Sequence, residues 1–165
     1  MLNNIRLLLL TSWLGAAIFF SAIVAPGAFR VLRTFGLPNQ SEIAGAIVSR
    51  ALASINISGF IIGIVLLITA LALRRTFSRR NFIFQTILLT IVTVSTAVGE
   101  WVITARMRLL RAAFQMPVDQ VPLDDAGWIA FAALHGYSVV ALSVAMISAL
   151  IAFFLISRRV SNGRE

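Results

Sequence analysis

Residues 82–103 read FIFQTILLTIVTVSTAVGEWVI, and this stretch decides the fold class. Its only charged residue is Glu100. As an α-helix the stretch covers roughly 33 Å, close to the hydrocarbon thickness of a bilayer. Thr86, Thr90, Thr93, Ala97, Glu100 and Thr104 recur at alternating steps of four and three, so they share one helical stripe. The opposite faces carry Ile, Leu and Val. The stripe reads as the interior of a helix bundle, lined with small and hydroxyl residues that bond back to their own helix. A polar track crossing the membrane and ending at Glu100 is the alternative.

Three further stretches have the same character: about 7–25, 51–73 and 131–156. Cleavage of the first as a signal peptide after Ala25 would put Ile23 at the −3 position and Pro26 directly behind the cut, so it is expected to remain a span. The composition agrees: 59% of the 165 residues are hydrophobic and 12% charged. A soluble domain of this size carries roughly 25% charge. The expected fold is therefore all-α, an integral membrane four-helix transmembrane bundle forming one domain over residues 1–165. There is no cysteine, so disulfides and thiolate metal sites are excluded.

All fourteen basic residues are arginine, and the net charge is +8. They sit at the ends of the apolar runs, which argues for orientation signals and against nucleic acid as a partner. Four spans put both termini on one side with the connector near Arg74–Arg80. That side holds Arg6, Arg74, Arg75, Arg79, Arg80, Arg158, Arg159 and Arg164; the other holds Arg30, Arg33, Arg50, Arg106, Arg108 and Arg111. Eight against six favours cytoplasmic termini, in what is expected to be a bacterial inner membrane.

The outer side is elaborated, with extensions over residues 26–50 and 104–130. Gly36 and Pro38 break the chain after the first span, and Asn39 with Glu42 is spaced as an N-cap pair for the second helix. Asp124 or Asp125 is placed to cap the fourth.

Packing faces are legible on each span. The first carries Ala17, Ser21 and Ala25; the second Asn56, Gly59 and Gly63, the glycines forming GxxxG; the third Thr86, Thr90, Thr93 and Ala97. The fourth carries Ser138, Ala141, Ala145, Ser148 and Ala152. Counting about 20 residues outward from each inner boundary brings Arg50, Glu100 and His135 to one height, with Arg106 and Ser138 nearby. These five form the candidate polar cluster. Two readings stand for Glu100: a structural pair with Arg50, Arg106 or an arginine of the first span, or a functional ionisable group at membrane depth. His135 leans to function, although Ser138 three residues on is placed to satisfy it.

The run Trp13-Leu14-Gly15 followed by Phe19-Phe20 and Pro26 resembles the first helix of the transmembrane protein 205-like family of small membrane proteins. Ala44-Gly45 at the second helix and the stretch from Arg106 through Phe131 to His135-Gly136-Tyr137-Ser138 carry the same resemblance. It implies a four-helix membrane protein.

No phosphate loop, HExxH or paired-carboxylate motif is present, and one histidine excludes a bis-histidine haem within one chain. His135 with Met107 or Met116 offers two ligands at most, so no catalytic residue and no cofactor is expected. The leading functional expectation is a non-enzymatic membrane protein that binds a partner or assembles with copies of itself. The alternatives are a small-solute, metal or proton-coupled transporter built on the Glu/Arg/His cluster, and a haem- or metal-linked redox protein. The lipid bilayer is the expected partner, with another membrane protein or a homo-oligomer beyond it.

Overall fold

The computed structural model describes residues 2–74 and 78–162, with side chains to Arg158. Four long apolar helices carry the chain across the membrane: α1, Leu2–Thr34; α2, Gln40–Ala72; α3, Arg79–Ala113; and α4, Ala126–Asn162. No strand occurs among the described residues. The protein is an all-α, integral membrane four-helix bundle. At 33 residues α2 is about 50 Å long, so it outreaches a hydrocarbon core of about 30 Å. Of the arginines read for orientation, Arg75 and Arg164 lie outside the described residues.

Each helix packs on its neighbour in sequence, and α4 closes the ring on α1. The termini therefore sit at one end of the bundle. The short α1–α2 link and the longer 114–125 segment lie at the other. Gly36 adopts φ 61° in the first link, the left-handed geometry that ends α1 cheaply only for glycine.

Two helix starts at this elaborated end differ in origin. The Asn39 side chain makes no capping hydrogen bond, which corrects the expected pairing with Glu42. Instead the backbone N–H of Ser41 donates to Asp119 Oδ2 at 3.0 Å, a cap supplied from the 114–125 segment. For α4 the cap is local: Gly127 N and Trp128 N donate to Asp125 Oδ1 at 2.8 and 3.1 Å.

The tightest helix contact joins α2 to α3. A Cβ on Gly63 would run into Thr93, one on Gly59 would meet Trp13 and Thr96, and one on Gly99 would meet Asn56 at 3.1 Å. Small residues thus let two backbones approach, the main source of helix association where lipid already solvates apolar side chains. Trp13 of α1 reaches across and donates Nε1–H to the Ile55 carbonyl at 2.9 Å. Around this seam lie Leu10, Ala17, Leu66, Leu89 and Val92, with Ala145, Ala149 and Ala152 of α4.

The α3 stripe sits differently from its expected position. Gln85, Leu89, Val92, Thr93, Thr96, Gly99, Glu100, Ile103 and Thr104 are buried, while Thr86 and Ala97 are half-buried and Thr90 is exposed. The buried face centres one residue away, and one residue is about 100° of helix, so Thr90 falls outside. The hydroxyls of Thr93, Thr96 and Thr104 donate to the carbonyls of Leu89, Val92 and Gly99. They serve their own helix.

At the terminal end Arg6 is 1% exposed. With its amide oxygen turned towards the guanidinium, Gln85 accepts from Arg6 Nη1 at 3.3 Å and also from Nη2.

Candidate functional site

Two of the four helices widen at similar depth. In α1 a π-helical turn spans Phe20–Val24, where Ala25 N–H bonds back five residues to Phe20 O. Pro26 follows immediately; it has no N–H and its ring crowds the carbonyl four residues back, so a wider turn relieves it. In α3 the π-helical turn spans Val98–Thr104, and the Thr104 hydroxyl donates to Gly99 O, also five residues back, at 2.8 Å. Such turns push an extra residue into a helix face and concentrate at functional sites. Here the second turn seats Glu100 inside the bundle at 5% exposure, next to buried Gly99.

Glu100 Oε1 lies 3.6 Å from Arg108 Nη2, and Oε2 is buried with no partner among the described residues. The Arg108 side chain is 64% exposed. Its partner is thus Arg108, two helical turns on, and neither Arg50 nor Arg106.

A cleft opens between the two π-helical turns. Its deep part, of ≈ 290 Å³, is lined by Phe20, Ala25, Phe29, Leu142, Val139 and Met146 among others, and its walls are mostly apolar. Its shallow part, of ≈ 80 Å³, is lined by Ser49, Thr104, Met107, Arg108 and Arg111. Val48, Leu52, His135 and Ser138 line both, so the two parts adjoin. Deep cavities of this size fall at the small end of ligand sites.

Arg111 is held by packing. Its guanidinium occupies the space a Cβ on Gly45 would take, 2.8 Å from Nη2, and its Cζ lies 5.5 Å from the Phe131 ring centroid. Its Nε is buried and has no hydrogen-bond partner among the described residues. No carboxylate within ion-pair distance offsets it there; the one ion pair among the described residues is Glu100–Arg108.

The expected cluster is therefore divided. His135 and Ser138 sit together in the cleft, with Glu100 behind it through Arg108. Arg50 is exposed and lines neither part of the cleft. Arg106 faces a separate open groove with Leu109, Leu134 and Tyr137. Arg108 and Arg111 stand outside the cluster expected from the sequence. The signal that singles them out is their helical register: 104, 108 and 111 step by four and three, whereas 106 lies half a turn away. Of the packing residues, Ala17, Asn56, Gly59, Gly63 and Thr93 are buried, and Ser21 and Ala25 are half-buried on the cleft wall. No group of three His, Cys, Asp or Glu side chains suited to a metal occurs among the described residues.

The family model of a domain of unknown function, DUF4149, matches residues 8–115, more than half of the chain. The protein belongs to the DUF4149 family. The comparison with curated proteins gives no match, and neither does the comparison with solved structures. Glu100, Arg108 and Arg111 of this DUF4149 protein fall inside the matched region, while His135 and Ser138 on α4 fall beyond it.

Proposed function

We propose that this DUF4149 protein is a non-enzymatic binding protein for a membrane-dissolved amphiphile, held in the cleft between α1, α2, α3 and α4. The observation that carries the reading is that the two parts of the cleft adjoin across Val48, Leu52, His135 and Ser138. An apolar groove lies beside a basic, hydroxyl-lined pocket at the elaborated end. A molecule with a hydrocarbon tail and a polar head matches that division, because each half is desolvated only by its own kind. The arginine bias supports cytoplasmic termini, with the polar end of the cleft at the outer face of a bacterial inner membrane. The likeness of Trp13-Leu14-Gly15 and of His135-Gly136-Tyr137-Ser138 to the transmembrane protein 205-like group supports a shared four-helix ancestry.

Ser143 lines the deep groove and is half-buried there. In Ser143→Phe a ring fills the groove. Native mass spectrometry of the intact protein, released from membranes in mild detergent, is expected to show about one retained lipid per chain. Ser143→Phe is expected to lose it while keeping its helical circular dichroism. No retained lipid in the unaltered protein, or equal retention in both, refutes the reading. Reporter fusions at both termini test the orientation, and activity of a periplasmic reporter at either end counts against it.

A further inference from the structure

We infer that the polar end of the cleft receives a phosphate group, so that its occupant is an anionic lipid with a phosphomonoester head. This rests on the reading of the cleft as an amphiphile site and narrows it to one class of head group.

The first ground is charge. Arg108 and Arg111 line the shallow pocket, and no Asp or Glu does. Glu100 is the acid behind it, and it meets Arg108 through one oxygen only, at 3.6 Å. Two guanidinium groups against one carboxylate leave the pocket cationic before His135 is counted. Charges near membrane depth pair with a counter-charge, and no carboxylate among the described residues meets Arg111.

The second ground is donor geometry. Arg111 is fixed by Gly45 and Phe131 but not neutralised, and its buried Nε–H lacks an acceptor among the described residues. A buried donor of that kind costs free energy until something accepts from it. Arg108 is mostly exposed and only loosely held, so it is free to turn towards an incoming anion. Ser49, Ser138 and His135 complete the wall. Thr104 is not a donor here, because its hydroxyl proton goes to Gly99 O. Five donor side chains exceed what two carboxylate oxygens need and suit the three oxygens of a phosphomonoester.

The third ground is size. The shallow pocket holds ≈ 80 Å³, several times the ~10–15 Å³ that one water needs on the same measure. That admits a phosphate. From His135 to Met146 the deep groove follows α4 for about 16 Å, enough for the upper half of an acyl chain.

The test uses the full chain, delipidated in detergent, with native mass spectrometry reading the fraction bound. The probes are phosphatidic acid, diacylglycerol with the same chains, palmitate, and inorganic phosphate alone. Phosphatidic acid is expected to bind about tenfold or more tightly than diacylglycerol, the worth of one charge-assisted contact. It is also expected to bind more tightly than palmitate. Arg111→Gln is expected to erase that preference with diacylglycerol binding unchanged. Gly45→Ala, which moves Arg111 without removing it, is expected to weaken phosphatidic acid in the same direction. Circular dichroism of each variant checks the fold.

Equal binding of phosphatidic acid and diacylglycerol, both lost in Ser143→Phe, overturns the phosphate inference and leaves the amphiphile reading standing. So does palmitate binding as tightly as phosphatidic acid. A preference that survives in both Arg111→Gln and Arg108→Gln overturns it as well. Binding of inorganic phosphate with no lipid bound overturns both readings, as does no binding at all.

Discussion

Gly59→Ala tests the close approach that holds the bundle together. A Cβ at position 59 would stand 2.6 Å from Trp13 Nε1, 2.7 Å from Trp13 Cε2 and 2.8 Å from Thr96 Cγ2. Non-bonded carbons settle at about 3.5–4.0 Å, so side chains on two different helices must each retreat by about 1 Å. Trp13 is not free to do so, because its Nε1–H is bonded to Ile55 O at 2.9 Å. Losing that bond costs about 1 kcal/mol. Overpacking adds about 1–3 kcal/mol, and the better helix propensity of alanine returns about 1 kcal/mol. The net loss is about 1–3 kcal/mol. It is read from reversible unfolding in mixed micelles, titrated with a denaturing detergent and followed by helical circular dichroism. Trp13→Phe removes both Nε1 and Cε2 of the indole, so it should relieve most of the clash. The double variant should then be more stable than additivity requires, by about 1 kcal/mol. Costs that add within about 0.5 kcal/mol, or a neutral Gly59→Ala, would refute the packing argument.

Three further outcomes follow from local geometry. Asp125→Ala removes the cap of α4 and is expected to cost about 1 kcal/mol in the same titration, with Asp124→Ala near zero; equal effects would count against Asp125 as the cap. Gln85→Leu takes an acceptor from the buried Arg6 guanidinium and is expected to cost about 1–3 kcal/mol. A neutral Gln85→Leu would show that the pair contributes nothing at the terminal end. Thr93→Val keeps the shape and loses only a hydroxyl that bonds its own helix, so the loss should stay below about 1 kcal/mol. A larger loss would mean that the hydroxyl has a partner beyond Leu89.

Hydropathy and spacing were enough for the four-helix class, because a bilayer imposes one length and one chemistry on every span. The GxxxG pair on α2 was legible for the same kind of reason. Small residues one turn apart have few uses in lipid other than close approach, and Gly59 and Gly63 lie against α1 and α3. The composition of the cleft was partly legible: a lone histidine and a lone intramembrane acid mark a polar region.

Other features depended on tertiary structure. The α2 cap comes from Asp119, 78 residues away, and no local capping pattern anticipates an acceptor from another segment. The buried face of α3 was misplaced by one residue at Thr90, since a regular 3.6-residue period does not record which neighbours press on it, nor a π-helical turn at Val98–Thr104. That turn turns Glu100 inward and, with the register of α3, brings Arg108 and Arg111 to His135 while Arg106 faces elsewhere. Four membrane crossings follow from hydropathy alone, because burying apolar length needs no partner identity. Which charges meet at its elaborated end was decided by helix rotation, and rotation is set only when all four helices pack.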